Sequence, residues 1–206
     1  MRLPFDRTPH ELLNDEGSAL LSPGFIPPDE ADRMLATLTA EIPWEATTLV
    51  MFGSEVAEPR LSAWIADEGV RYGYSGRMRT THRWTPALDD LRWRLESHTG
   101  SRFNGVLANL YRDGRDHMGW HADDEPSLGP APTIASISLG AERRFQLRHR
   151  TSGEIVSCDL PHGSLLVMSG DSQRSWTHRL PRATRVAEPR VNLTFRFVVT
   201  PPVDAP

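Results

Sequence analysis

The sequence contains no lysine: all 23 cationic side chains are arginine, against 27 Asp and Glu, for a net charge of −4 and a pI near 6.1. A uniformly basic protein that coats nucleic acid along its length is therefore excluded. A single cysteine, Cys158, rules out an internal disulfide framework and a Cys-rich zinc module, and points to a reducing compartment. No run approaches the roughly 20 apolar residues needed to span a bilayer. The first ten residues mix Arg, Asp and Pro without an apolar signal region, so the expected location is cytoplasmic, with no membrane partner. Repeats and low-complexity tracts are also missing, and nothing marks an oligomer, so a monomer is expected.

What is present fits one globular domain. A chain of 206 residues buries roughly 70% of its unfolded surface, so it needs no metal to hold together, and any metal would be functional. Charge is unevenly spread. Residues 1–50 carry three Arg and nine acids, whereas residues 71–102 carry seven Arg and three acids and residues 141–206 ten Arg and six acids. An acidic N-terminal segment thus precedes a body with two basic stretches suited to local anion contacts.

Two helices are legible. After Pro27 and Pro28, Ala31, Met34, Leu35 and Leu38 recur at i, i+3, i+4 and i+7. A second helix takes Thr85 as N-cap and Pro86 as its first residue, turns Leu88, Leu91 and Leu95 inward, and stops at Gly100. From residue 102 the pattern changes to short alternating segments: Asn104 to Tyr111, Thr133 to Leu139, Arg144 to His149, Glu154 to Leu160, Ser164 to Ser169 and Arg190 to Val199. The fold class is α+β, mainly β, with N-terminal helices packed on a jelly roll or, fitting almost as well, a Greek-key sandwich.

The last strand sends Val191, Leu193, Phe195 and Phe197 one way and Arg190, Asn192, Thr194 and Arg196 the other. Arg on the wet side of a half-exposed strand is the plain explanation. Two guanidiniums separated by Asn and Thr also make a row of donors suited to a dicarboxylate. A second cluster runs from Asn109 to Glu125. His121 and Asp123 are two apart, so on extended chain both leave one face and can grip an ion. Two His and one carboxylate is the ligand set of Fe(II) oxygenases, and the third ligand could be His149, His162 or His178. His178 stands out because it precedes the two-Arg strand by twelve residues. His117 and His121, four apart, would suggest zinc only on a helix, which Gly114 and Gly119 oppose.

The ordered combination of Asn109-Leu-Tyr111-Arg-Asp-Gly-Arg-Asp-His-Met-Gly-Trp-His121-Ala-Asp123-Asp124-Glu125, His178, and Arg190-Val-Asn192-Leu-Thr194-Phe-Arg196 resembles the AlkB family of Fe(II)- and 2-oxoglutarate-dependent dioxygenases, across roughly residues 50–200. The wording looks closest to the branch that repairs alkylated bases in duplex DNA. The resemblance implies a double-stranded β-helix. It implies Fe(II) on His121, Asp123 and His178, with 2-oxoglutarate and O2 as cosubstrates. Arg190, Asn109 and Tyr111 would hold the distal carboxylate, and Arg196, with Asn192 and Thr194 nearby, would support the iron-chelating end. The expected organisation is an acidic extension with one helix over 1–50, a nucleotide-recognition lid with a supporting helix over 51–101, a jelly-roll core over 102–200 and a tail over 201–206.

On the substrate side, Tyr72-Gly-Tyr74-Ser75-Gly76 is similar to the family's recognition lid, with Tyr74 stacking on a flipped base where relatives often have Phe. Met51-Phe52-Gly53 is similar to the hairpin tip that wedges into the gap left by that base, with Arg60 following as a phosphate contact. Asp124 and Glu125 resemble the acidic pair beside the base pocket. Further phosphate contacts are expected among Arg71, Arg77, Arg79 and Arg83, and among Arg143, Arg144, Arg148, Arg150, Arg179, Arg182 and Arg185. The implied activity is oxidative removal of N-methyl groups from DNA bases of the 1-methyladenine and 3-methylcytosine type, releasing formaldehyde and succinate. The alternatives are the same chemistry on RNA or a protein side chain, and a binding module that has lost turnover.

Overall fold

Each of the two helices begins on a proline whose missing N–H costs nothing there. The computed structural model describes residues 8–51, 54–71, 73–74 and 77–199. Helix α1 spans Pro28–Glu41 and α2 spans Pro86–Thr99. Thr85 Oγ1 caps α2 by accepting from the Leu88 N–H at 3.4 Å. Gly100 closes it at φ 70° and donates its N–H to the Glu96 carbonyl at 2.9 Å. That left-handed backbone is where glycine is favoured. A four-residue helix, α3, covers Ser172–Ser175.

The strands in chain order are β1 His10–Glu11, β2 Ser18–Ser22, β3 Glu45–Met51, β4 Ser54–Ala66, β5 Gly73–Tyr74, β6 Arg77–Met78 and β7 Thr81–His82. Then follow β8 Gly105–Tyr111, β9 Met118–His121, β10 Ile134–Gly140, β11 Arg143–His149, β12 Ile155–Leu160, β13 Ser164–Ser169, β14 Trp176–Leu180 and β15 Arg190–Arg196. The large sheet has the order β1-β2-β13-β10-β15-β8-β4-β3, with β7 alongside β4, and the small sheet the order β12-β11-β14-β9. From β8 to β15 the chain crosses between sheets: β8, β10, β13 and β15 join the large one, and β9, β11, β12 and β14 the small one. This winding makes a double-stranded β-helix, the jelly roll of the two options, rather than a plain Greek-key sandwich.

Two apolar layers result. Ala31, Leu38, Leu88, Leu91 and Leu95 from the helices meet Val106, Ala108, Ile137, Val191, Leu193 and Phe195 from the outer face of the large sheet. Trp64, Leu107, Phe145, Leu147, Leu166, Met168 and Leu180 fill part of the space between the sheets. Strand β15 is therefore buried on both faces, not half-exposed. It also ends earlier than its alternation suggests. The Asn104 side chain takes over from the ladder, its Nδ2 donating to the Val198 carbonyl (2.8 Å) and its Oδ1 accepting the Val198 N–H (2.7 Å), and Phe197 is left 47% exposed.

The β body starts well before residue 102, since β2, β3 and β4 belong to the large sheet. Strand β4 escapes a reading by pattern because its inner face is polar, with Glu58, Arg60 and Ser62 buried there, and because Pro59 interrupts it. The proline sits where the β3–β4 register shifts between Ala46 and Thr48, and pairing with β8 begins only at Leu61. Strands β9 and β14, of four and five residues, are likewise too short to show a period. No described helix is long and apolar enough to cross a membrane.

Gly105 is required by packing: a Cβ built there would lie 2.3 Å from the Trp64 ring, whereas one at Gly119 would meet nothing within 4 Å. Gly105→Ala is expected to destabilise the fold by about 1–3 kcal/mol, and Gly119→Ala to stay within about 0.5 kcal/mol. Urea unfolding midpoints of the two variants check this, and equal midpoints would contradict the packing argument.

Candidate metal centre and cosubstrate cavity

Strands β9 and β14 are neighbours in the small sheet, and their register sets His121 opposite His178 with ring centroids 4.2 Å apart. Asp123 lies two residues beyond the end of β9. The ligand atoms of these three residues all lie within 4.8 Å of one another, the one such group among the described residues. The backbone fixes the tautomer of His121: Gly119 presents a carbonyl oxygen 2.9 Å from Nδ1, so Nδ1 carries the proton and Nε2 keeps its lone pair. Burial pushes His178 down to about 3, with the neighbouring His121 adding to it, and burial also lowers His121. Both rings are neutral at ordinary pH and able to ligate.

Burial pushes the carboxyl of Asp123 up, but Arg196, His178 and His121 outweigh it and hold it below the usual carboxylate range. Arg196 Nη2 donates to Asp123 Oδ1 at 2.6 Å, which leaves Oδ2 for a ligand. The Asp123 N–H donates to Gln173 Oε1 at 2.9 Å, so the backbone of the ligand is also held. Two neutral imidazoles and one carboxylate are a donor set that fits Fe(II).

Behind these residues a cavity of about 610 Å³, counting its open mouth, runs between the sheets. Its wall on β15 is the row Arg190, Asn192, Thr194 and Arg196, and β8 adds Leu107, Asn109 and Tyr111. Tyr111 stands opposite Arg190 and Asn109 opposite Asn192 in the ladder. Arg190 is 2% exposed. Its Nη2 donates to Ser138 Oγ at 2.8 Å, and its guanidinium carbon lies 5.3 Å from the Tyr111 ring centre. No carboxylate pairs with it and its Nε has no partner among the described residues. Burial drags it down to about 10. A buried cation in that state calls for an anion, and a dicarboxylate entering the cavity supplies one. Asn109 has its Oδ1 occupied by Arg60 Nε at 2.9 Å, so its amide presents a donor. Asn192 and Thr194 bond each other (3.1 Å), and Asn192 Nδ2 reaches Ser136 Oγ (2.8 Å), so they brace the wall.

The other histidine candidates are engaged elsewhere: His149 with Ser152 and Glu16, and His162 with the Gly140 N–H and Asp32. Arg60 is a correction. It is 3% exposed and lines the cavity, tied to Asn109 and Glu58, so it does not lie on the surface as a phosphate contact. Arg143 is likewise inside, donating to the carbonyls of Asp113, Asp116 and Pro181. Asp124 is exposed and pairs with Arg150 at 2.7 Å, and Glu125 opens a short 3-10 turn; neither lines the cavity. Phe52, Tyr72 and Ser75 lie outside the described residues, and Tyr74 is described only as backbone, in β5, opposite Arg77. Three residues of the site are not legible in the sequence: Ser136, Phe145 and Gln173. Phe145 had a signal in the alternation of β11; Gln173 had none.

Comparison with known proteins agrees with the geometry. Residues 18–196 match the model of the 2OG-Fe(II) oxygenase superfamily. The human alpha-ketoglutarate-dependent dioxygenase alkB homolog 3 is 43% identical over 196 residues, covering 90% of this chain and 68% of that protein. The mouse DNA oxidative demethylase ALKBH2 is 41% identical over 181 residues, covering 82% and 76%. A solved structure, that of OsALKBH1, superposes with a TM-score of 0.60 at 16% identity over 89% of this chain and 99% of that one, a likeness of fold. With the ligand set, the cavity and these relatives together, the chain belongs to the AlkB family of the 2OG-Fe(II) oxygenase superfamily.

Proposed function

We propose that the chain oxidatively demethylates N-alkylated bases of DNA, of the 1-methyladenine and 3-methylcytosine type, in duplexes. The observation that carries the reading is the juxtaposition of His121, Asp123 and His178 with a buried Arg190 that lacks a carboxylate among the described residues. The name of the 41% identical relative, a DNA oxidative demethylase, supports the substrate class. His121, Asp123 and His178 would hold iron, which with 2-oxoglutarate and dioxygen would supply the oxidising chemistry, one oxygen atom ending in succinate with loss of carbon dioxide and the other on the N-methyl carbon as a hydroxyl. The hydroxymethyl group then leaves as formaldehyde.

The protein's part is position. Arg190, Tyr111 and the Asn109 amide bind the distal carboxylate. Arg196 locks Asp123 in one orientation through the 2.6 Å bond. Leu107, Phe145 and Leu180 give the cavity apolar walls that exclude water. A base within a duplex must be flipped to reach the metal, at a cost of a few kcal/mol that falls for a damaged base. The pairing of strands β3 and β4, which extends to Met51 opposite Ser54, supports the wedge assignment, whose residues Phe52 and Gly53 lie outside the described ones. Arg148 and Arg179 are the candidates for phosphate contact, since both flank Trp120 at 4.5 and 4.4 Å from its ring and neither has a carboxylate partner among the described residues.

Three outcomes are expected. Formaldehyde release from 1-methyladenine should be as fast in matched duplex DNA as in single-stranded DNA, and slower in RNA; little duplex activity would sink the wedge assignment. Succinate formation should vanish on chelation, return with Fe(II), and stay absent in His121→Ala, while Arg190→Gln should raise the KM for 2-oxoglutarate by about 30-fold or more. DNA affinity should fall with salt, and Arg148→Gln should reduce the log–log slope by about 1; an unchanged slope in titrations from low to high salt would remove Arg148 from the phosphate contacts.

A further inference from the structure

The most unusual buried group outside the metal centre is Glu58. Its side chain is wholly buried, 0% exposed, and it touches two arginines: Arg60 Nη2 lies 3.2 Å from Oε2, and Arg79 Nη2 lies 3.4 Å from Oε1. Neither neighbour ends there. Arg60 Nε donates to Asn109 Oδ1 at 2.9 Å, and Arg79 Nη1 donates to Ser62 Oγ at 2.6 Å. Ser62 and Asn109 are themselves partners across the β4–β8 ladder. The network therefore runs from Arg79, the residue directly after β6, through Glu58 and Arg60 to the amide that faces the cavity.

Its chemistry gives it a direction. Arg60 Nε donates to Asn109 Oδ1 and so fixes the orientation of that amide, leaving Nδ2 as the donor a carboxylate can use. Glu58 is the carboxylate that compensates the buried charge of Arg60, and its removal would cost Arg60 that partner. One negative charge shared between two buried guanidiniums leaves the cluster with a net positive charge at the cavity wall. An anion arriving near Asn109 relieves it, tightening Arg60 and, through the shared carboxylate, Arg79. Arg79 in turn stands between the β5–β6 hairpin and β7, which runs alongside β4 with Thr81 opposite Trp64.

We propose that Glu58 is a positioning residue that couples 2-oxoglutarate binding at Asn109 to the segment Arg77–His82, by holding Arg60 and Arg79 on one carboxylate. The inference rests on the assignment of this cavity to 2-oxoglutarate. It extends that assignment to residues that touch neither iron nor cosubstrate. Coupling of this kind is reciprocal: whatever the cosubstrate does for the segment, the segment does for cosubstrate affinity.

The test is hydrogen exchange at the amides of residues 77–82 in the full chain loaded with Mn(II), with and without 2-oxoglutarate, beside calorimetric binding of 2-oxoglutarate and steady-state kinetics with Fe(II). In the unmodified protein, 2-oxoglutarate should slow exchange in this segment about fivefold or more. In Glu58→Gln that slowing should be lost, the dissociation constant for 2-oxoglutarate should rise about tenfold, and KM should rise with it while kcat stays within about twofold. Glu58→Asp should recover part of the affinity. Arg79→Gln keeps the Arg60–Glu58 pair and guards against a variant that does not fold; it should lose the ligand-dependent protection as well. Protection that persists in either Gln variant, or a segment indifferent to 2-oxoglutarate in an unmodified protein that binds it, overturns the coupling. Failure of the unmodified protein to bind 2-oxoglutarate at all overturns the assignment of the cavity instead.

Discussion

The salt bridge between Arg196 and Asp123 is the interaction on which the site is built. Both side chains are nearly inaccessible, 4% and 2% exposed, and they join the large sheet to the segment that follows the last residue of β9 in the small one. Arg196 ends the last strand of the large sheet, and Asp123 follows β9 of the small one. A pair of this kind is costly to bury, and removing one partner would strand the other charge. It holds the jelly roll closed at the end where the metal ligands meet. It also decides which oxygen of Asp123 is left to ligate, so a structural contact and a chemical one are the same bond.

The same constraint, that a buried guanidinium must find compensation, sorts the other arginines of the interior. Arg60 and Arg79 share Glu58. Arg143 has no acid, and is satisfied by three main-chain carbonyls of the loops at Asp113, Asp116 and Pro181. Arg190 alone among these has neither a carboxylate nor a set of carbonyls among the described residues; it has a serine and an aromatic face. The protein has left one cation deficient in the part of the cavity farthest along β15 from Arg196. That deficiency is the physical reason to place a carboxylate of the cosubstrate there.

How much of this could be read beforehand follows from where each signal lives. Helix α2 was legible to its ends because capping is local: Thr85, Pro86 and Gly100 each act within a turn of themselves. The inner row of β15 was legible because alternation survives when one face is apolar, although a charged row on a strand reads first as a solvated face. Arg143 goes to the surface by that same reading, since sequence alone gives a charge no partner, whereas Arg60 is placed there by the resemblance. Strand β4 failed on two counts, a polar buried face and Pro59 at a register shift, and both exist only because β3, β8 and the cavity surround it. Gln173 contributes through a single bond to a main-chain N–H fifty residues away, which no local pattern encodes.

The absence of lysine also acquires meaning inside the protein. Arg143 spans three carbonyl oxygens, and Arg60 and Arg79 each reach two different partners with separate nitrogens of one planar group. A lysine ammonium concentrates its donors on one atom and is more strongly hydrated, so it is less suited to bridging separated partners at comparable burial. The net charge of −4 therefore misstates what a ligand meets. The first 50 residues carry nine acids against three Arg and the rest 18 acids against 20 Arg, whereas the cavity is lined by Arg60, Arg190 and Arg196 with Asp123 as its carboxylate. Within the cavity Arg190 is the lining arginine that has no carboxylate partner among the described residues, so the net charge of the chain says little about the field a dianion would meet there.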